Sequence, residues 1–257
     1  MQSHQDSQDI AVRHDGHVAI VELVRPPHNY FDEALIHDLV AIFERLDDDA
    51  SCRAIILAAQ GKAFCAGADF SGGPTDPQMP RRLYKHAVRL FCTRKPIIAA
   101  VHGPAIGGGV GLALVADFRV TCDAARFAVN FNRLGIHPGF GLSVTLPRLI
   151  GVQQATKLLF TGRRITGREA VEIGLADVLA PDDAVLEHAV MFAQEIAASA
   201  PLAVMSTRAT TRQGLADAVS AAVDREASEQ EWQVQTADFA EGVAATAARR
   251  AAVFAGK

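Results

Sequence analysis

The chain has 257 residues, 49% of them hydrophobic and 21% charged, which supports a sizeable core and excludes global disorder. Its net charge of −4 provides no bulk basic field for nucleic acid, and no apolar run approaches the ~18 residues of a membrane span. The four cysteines, at 52, 65, 92 and 122, form no C-x-x-C pair and read as reduced thiols of an intracellular protein. The polar start, M-Q-S-H-Q-D-S-Q-D, has neither the apolar core of a secretory signal nor an Arg-rich transit pattern, so a cytoplasmic protein with no membrane attachment is expected.

Residues 1–9 are expected to be a disordered N-terminus. The runs 10–13 and 17–23 flank Asp15-Gly16, a hairpin signal. Residues 31–46 carry Leu35, Ile36, Leu39, Val40, Ile42, Phe43 and Leu46 at helical spacing. The triplet Asp47-Asp48-Asp49 then reads as a solvated turn rather than a metal site. A strand over 54–57 leads through Gln60-Gly61 into K-A-F-C-A-G-A-D, residues 62–69. Residues 71–80 are rich in Gly and Pro and are expected to be mobile; 81–94 reads as a helix.

The central stretch runs from Pro96 to Asp117. Ile97 to Val101 is a buried strand, His102-Gly103-Pro104 a turn, and Gly107-Gly108-Gly109 opens a buried helix over 110–116. Glycines at a helix start let another group approach the backbone, and the first N–H groups lack partners within the helix. Such a turn suits an oxygen gaining charge; it equally suits tight packing against a strand. No Gly-Lys-Ser/Thr ending follows, which disfavours a phosphate loop. Strands are expected at 118–121, 126–129 and 175–179, helices at 142–150, 153–160 and 167–173 with Thr166 as cap, and a loop at 135–141. Helices over 184–200, 202–213, 215–236 and 239–254 complete the chain. The expected division is an α/β core at 10–181 and a helical region at 182–257.

The two glycine-bearing stretches, K-x-F-x-A-G-A-D and A-A-V-x-G-x-A-x-G-G-G, stand in the order found in the enoyl-CoA hydratase/isomerase, or crotonase, family, and the chain resembles that family over nearly its whole length. The resemblance implies an α/β spiral of β-β-α units with a C-terminal helical region, packed as a homotrimer or a dimer of trimers. It implies an acyl-CoA substrate, with coenzyme A part of the substrate and no separate cofactor or metal. The thioester enolate would be held by the backbone N–H groups of Ala68 and Gly108. Ala66, Asp69, Tyr84, Gly107 and Phe131 would contact substrate, and Arg25 and Lys62 would meet the nucleotide part. Arg249 and Arg250 would reach the coenzyme A of a neighbouring subunit.

The sequence also departs from the family. The two hydratase glutamates fall at Gly111 and Phe131, and neither residue transfers a proton. Gly139 stands where aroyl-CoA dehalogenases carry their aspartate, and the dienoyl-CoA isomerase pattern fails there too. His137 is the candidate substitute base; it also reads as a loop-capping histidine. Asp69 reads as a loop brace, and Cys65 as a small core residue rather than a nucleophile. The reading is an enoyl-CoA hydratase/isomerase-type protein that stabilises an enolate. The alternatives are a catalytically inactive acyl-CoA-binding protein or a malonyl-type decarboxylase.

Overall fold

The computed structural model describes residues 4–70 and 76–257. It begins with strands β1 (His4–Ser7), β2 (Ile10–Asp15) and β3 (Val18–Leu23), an antiparallel meander. The hairpin turn between β2 and β3 places Gly16 at φ +56°, as a tight Asp-Gly turn requires. Residues 4–7 are thus an edge strand, not part of a disordered tail, because β2 offers them an open row of backbone groups; 1–3 lie outside the described residues.

Helix α1 (Glu33–Asp48) is capped by Asp32, whose carboxylate accepts the Leu35 N–H. Its apolar stripe buries Leu35, Ile36, Leu39, Val40, Ile42, Phe43 and Leu46. β4 (Ala54–Ala59) follows, then α2 (Met79–Leu90), β5 (Ile97–Val101), β6 (Ala105–Ile106), α3 (Gly108–Ala113), β7 (Phe118–Cys122) and β8 (Arg126–Ala128). A 3₁₀ turn over Asn130–Leu134 ends at Gly135, in the left-handed region at φ +80°. Next come α4 (Leu142–Ile150), α5 (Val152–Thr161), β9 (Arg164–Thr166), α6 (Gly167–Glu172), β10 (Val178–Ala180), α7 (Val185–Ala197), α8 (Pro201–Thr211), α9 (Leu215–Gln233) and α10 (Ala237–Ala247). The helix expected at 81–94 starts two residues earlier, with Pro80 in its first turn, and residues 71–75 of the expected mobile loop lie outside the described residues.

Among the described residues, seven strands form one sheet in the order β1-β2-β3-β4-β5-β7-β10, parallel from β3 onward. β4 and β5 are buried almost throughout, so they read as continuous apolar runs rather than alternating ones. A small sheet, β6-β8-β9, sits beside it. Short strands of two or three residues, such as β6 and β9, leave no period to find in a sequence. Helices α1, α2 and α9 pack in series, which brings α9 from the C-terminal region to the flank of α2.

Charged residues tie these layers together. Arg119, 2% exposed, donates to the carbonyls of Leu175, Ala116 and Asp117 and to Asp177. Asp117 accepts from the Ile97 N–H at 2.8 Å, Arg208 at 2.8 Å and Arg212 at 2.9 Å, joining β5 to α8. Asp47 is no solvated turn residue: its carboxylate, 9% exposed, accepts the N–H groups of Arg94 and Lys95. Among the described residues no acidic, histidine or cysteine cluster is placed to hold a metal, and no single helix is long and apolar enough to cross a membrane.

Candidate active site

Three segments meet behind the parallel sheet: 28–31, 65–68 and 104–108. The Ala66 N–H donates to the His28 carbonyl at 3.0 Å, and the Phe31 N–H to Gly67 at 3.0 Å. The Cys65 N–H donates to Pro104 at 3.2 Å, and Ile106 returns a bond to Cys65 at 3.0 Å. This lacing leaves no room for side chains on the glycines. A Cβ on Gly109 would lie 2.0 Å from the Cys65 oxygen, and one on Gly108 would lie 2.4 Å from the Phe31 ring. Gly67 and Gly107 also take φ of +82° and +55°.

The two turns bring Ala68 and Gly108 to the wall of one cleft. Gly108 opens α3, so its N–H has no partner in the helix ladder. Among the described residues, no backbone carbonyl accepts the N–H of Ala68 or Gly108, whereas the Gly107 N–H is taken by Ala128 at 2.7 Å. A Cβ on Gly67 would stand 3.5 Å from the Gly108 nitrogen, so the two turns adjoin. Both donor residues line a cleft of about 340 Å³ that is mainly apolar. Its walls come from Tyr30 and Phe31, from α2 (Met79, Pro80, Leu83, Tyr84), from the 3₁₀ turn (Asn130, Phe131, Leu134) and from α9 and α10 (Gln230, Val243, Thr246, Ala247). Phe70 packs edge-on against Phe239, centroids 5.5 Å apart, which ties the 65–70 loop to α10.

Aromatic rings fill the space beside the two donors. A Cβ on Gly111 would sit 2.7 Å from Phe140 Cβ and 2.9 Å from its ring. Phe140 itself is held at φ +61°, an unusual conformation for a bulky residue and a mark of local strain. Its ring meets Phe31 at 5.4 Å and Tyr84 at 6.2 Å. A Cβ on Gly139 would meet the Tyr84 hydroxyl oxygen at 1.8 Å, so the phenol occupies the space of a side chain at 139. The Tyr84 hydroxyl donates to Gln230 Oε1 at 3.0 Å, and Gln230 Nε2 donates to the His137 carbonyl at 2.7 Å. Burial pushes the Tyr84 phenol well above its ordinary pKa, with Glu226 adding to the rise. Glu226 is wholly buried at the start of α4, where its carboxylate accepts from Gly141 N–H, Ser143 N–H and Ser143 Oγ. Burial raises its pKa, and these hydrogen bonds oppose the rise.

Of the residues singled out in the sequence, Ala66, Ala68, Asp69, Tyr84, Gly107, Gly108 and Phe131 line the cleft together. Arg25, Lys62 and His137 are not among its walls. Arg25 pairs with Asp9 at 2.7 Å and Asp32 at 2.8 Å, and Lys62 is exposed. His137 faces its own loop: its N–H donates to Gln233 Oε1, and ring Nδ1 lies 2.7 Å from the Pro138 oxygen. Cys65 is fully buried and its thiol is pushed up to about 12, so it stays protonated. Phe140, Gln230 and Glu226 escaped the sequence reading. A signal existed for the last two: Leu215, Val219 and Val223 mark the buried stripe of α9, and Glu226 and Gln230 continue it with polar side chains.

A sequence model of the family described as Enoyl-CoA hydratase/isomerase matches residues 13–257. The enoyl-CoA hydratase EchA19 of Mycobacterium tuberculosis is 34% identical over 226 residues, 83% of this chain and 84% of that protein. The carnitinyl-CoA dehydratase of Proteus mirabilis is 36% identical over 207 residues, 79% of each chain. The crystal structure of an enoyl-CoA hydratase/isomerase from Pseudoalteromonas atlantica superimposes with a TM-score of 0.87 at 29% identity, covering 96% of this chain and all of that one. The laced glycine turns, the crotonase-type α/β core with its C-terminal helices, and a family match over residues 13–257 place this chain in the enoyl-CoA hydratase/isomerase family.

Proposed function

We propose that the cleft binds an acyl-CoA thioester and stabilises its enolate between the N–H groups of Ala68 and Gly108. The observation that carries this reading is the pair of adjoining donors, neither accepted by a backbone carbonyl, at the wall of a mainly apolar cleft. Donors fixed in place before charge develops need no reorganisation during reaction, and one such donor is worth about 10²–10³ in rate. Coenzyme A enters as part of the substrate, and the reading calls for no metal. Lys62, exposed at the start of the donor loop, suits a phosphate contact; Arg25, held by two aspartates, suits a bracing role instead. Exposed Val152 and Phe160 on α5 favour a homo-oligomer, a trimer or a dimer of trimers. The unpaired cysteines favour a cytoplasmic setting.

Hydration by two glutamates is not what this site suits. Gly111 lacks a side chain and Phe131 presents a ring, and Phe140 fills the room beside Gly111. The second reading, an acyl-CoA-binding protein without catalysis, rests on that same loss. Calorimetric titration with butyryl-CoA, beside the loss of enoyl absorbance of crotonyl-CoA, tests both. Binding is expected. Gly108→Pro removes one donor but drives a ring carbon toward Phe31, so Phe31→Ala serves as background. In that background the proline is expected to cost ~10²–10³ in any turnover, and undiminished turnover would refute the donor assignment.

A further inference from the structure

The floor of the cleft is a ladder of short segments: 28–31, 65–68, β6, β8 and β9. Phe31 pairs with Ala68, Cys65 with Ala105, Ile106 with Ala128, and Ala128 with Arg164. The donors Ala68 and Gly108 stand on the second segment and just past the third, whereas Arg164 stands on the last. Adjacent strands lie ~4.8 Å apart, so the Arg164 Cα is about 10 Å across the ladder from Ile106. Residues in register share a face, and Ile106 and Arg164 both line the cleft. Arg164 is the one cation among its described walls. The arginines around it are committed: Arg163 to Glu169, Arg168 to Asp123 and Arg133 to the Thr161 carbonyl. Among the described residues none pairs with the Arg164 guanidinium. Asn130 stands beside it. A Cβ on Gly162 would lie 3.1 Å from the Asn130 Cα, so the β8–β9 approach continues past Ala128 and brings Asn130 diagonal to Arg164, a separation of ~7–8 Å that long side chains bridge. Asn130 Oδ1 is buried near Gly107 with no partner among the described residues, which leaves the donor end of the amide, Nδ2, to the cleft.

We propose that Arg164 and Asn130 form a carboxylate subsite at the far edge of the cleft, and that the substrates are thioesters of dicarboxylic acids whose free carboxylate it holds. This rests on the acyl-CoA reading above and names the acyl group. A guanidinium and an amide nitrogen are both donors, so the group they fit accepts hydrogen bonds and carries negative charge. A hydrocarbon chain end leaves them unmatched. A phosphate of coenzyme A is the other source of such a charge, and the ladder disfavours it. Lys62, which suits a phosphate, precedes the second segment, whereas Arg164 lies past both donors on the last. A thioester carbonyl set between Ala68 and Gly108, with its nucleotide toward Lys62, sends its acyl chain toward β9. The charges in the cleft agree. Asp69, the one carboxylate among the described walls, follows the donor Ala68 at the opposite edge, so a second carboxylate is repelled there and drawn to Arg164. The span from donors to guanidinium suits a chain a few carbons long, as in glutaryl and adipoyl thioesters.

The test is calorimetric titration of the full chain with glutaryl-CoA and adipoyl-CoA, beside valeryl-CoA and hexanoyl-CoA, which match them in carbon count and end neutrally, and beside coenzyme A itself. The wild-type protein is expected to prefer the better of the two dicarboxylic thioesters over its neutral counterpart by ~5–50-fold, a modest range because the guanidinium is exposed. Arg164→Gln is expected to abolish that preference and to leave the affinities for valeryl-CoA, hexanoyl-CoA and coenzyme A unchanged. Arg164→Lys, which keeps the charge and loses the planar fork, is expected to retain part of it, and Asn130→Ala to lower it. Equal wild-type affinity for dicarboxylic and neutral thioesters overturns the substrate class and leaves the acyl-CoA reading standing. A loss in Arg164→Gln that is the same for every ligand, coenzyme A included, puts the cation on a phosphate and overturns the carboxylate subsite. A preference that survives Arg164→Gln overturns the residue assignment. Absence of binding by any thioester removes the acyl-CoA reading itself, and the subsite with it.

Discussion

The sharpest stability test lies at the contact between Gly111 and Phe140. Gly111→Ala places a methyl group 2.7 Å from Phe140 Cβ and 2.9 Å from its ring, about 1 Å inside the ~3.5–4.0 Å optimum for carbon pairs. Both groups are buried, so relief needs backbone movement, and overpacking of this kind costs ~1–3 kcal/mol. Gly111 lies within α3, where alanine gains ~0.5–1 kcal/mol over glycine. The net loss is up to ~2.5 kcal/mol, or up to roughly 10 °C in Tm at the ~2–4 °C per kcal/mol of a chain this size. Phe140→Gly removes the colliding atoms and suits the φ of +61°. In that background only the helical gain remains, and Gly111→Ala is expected to raise Tm by about 1–4 °C. Scanning calorimetry on the four proteins of the cycle reads this directly. A change of the same sign and size in both backgrounds would refute the contact. The same geometry says that a glutamate introduced at 111 alone has no room.

The charged staples give two further expectations. Asp117→Asn leaves Arg208 and Arg212, both largely buried, without their shared carboxylate. Breaking such a buried network typically costs ~3–5 kcal/mol, so Tm should fall by at least several degrees, and an unchanged Tm would show that the cluster is not coupled to folding. Glu241 holds the chain after α10: hydrogen bonding to Arg250, then to the Val253 N–H, lowers its carboxyl from the ordinary 4.5 to about 2. Because the folded value is depressed, this attachment is complete above about 4.5 and is lost as pH falls through about 2. The NMR shift of the Val253 N–H should titrate with that low midpoint and stay flat in Glu241→Gln; a midpoint near the ordinary value would dissolve the pairing.

Long apolar periods were legible in the sequence, and the reasons are local. α1 announces itself through seven buried positions at helical spacing, and β4 and β5 through unbroken apolar runs. The cap at Thr166 was legible because its hydroxyl acts three residues away, on the Glu169 N–H. β1 was not legible, because four polar residues at a sheet edge form a strand only when a neighbour supplies the partner row. His137 looked available because a histidine after the Phe131 turn adjoins the cleft in sequence. In space its N–H and ring turn to Gln233 and Pro138, while its carbonyl anchors the glutamine that holds Tyr84.

The path of the two glycine turns was legible for a deeper reason than motif spelling. Donor N–H groups at glycine turns depend on backbone path, and the path is written in the glycines that Cys65, Phe31 and Ile106 press against. The proton inventory is different. It depends on which side chains enter the space that glycines at 111 and 139 leave open, and the entrants come from elsewhere: Phe140 over Gly111, Tyr84 from α2 over Gly139, Gln230 from α9 behind it. Space given up at one position is taken at another, and the taker at 139 is a buried phenol.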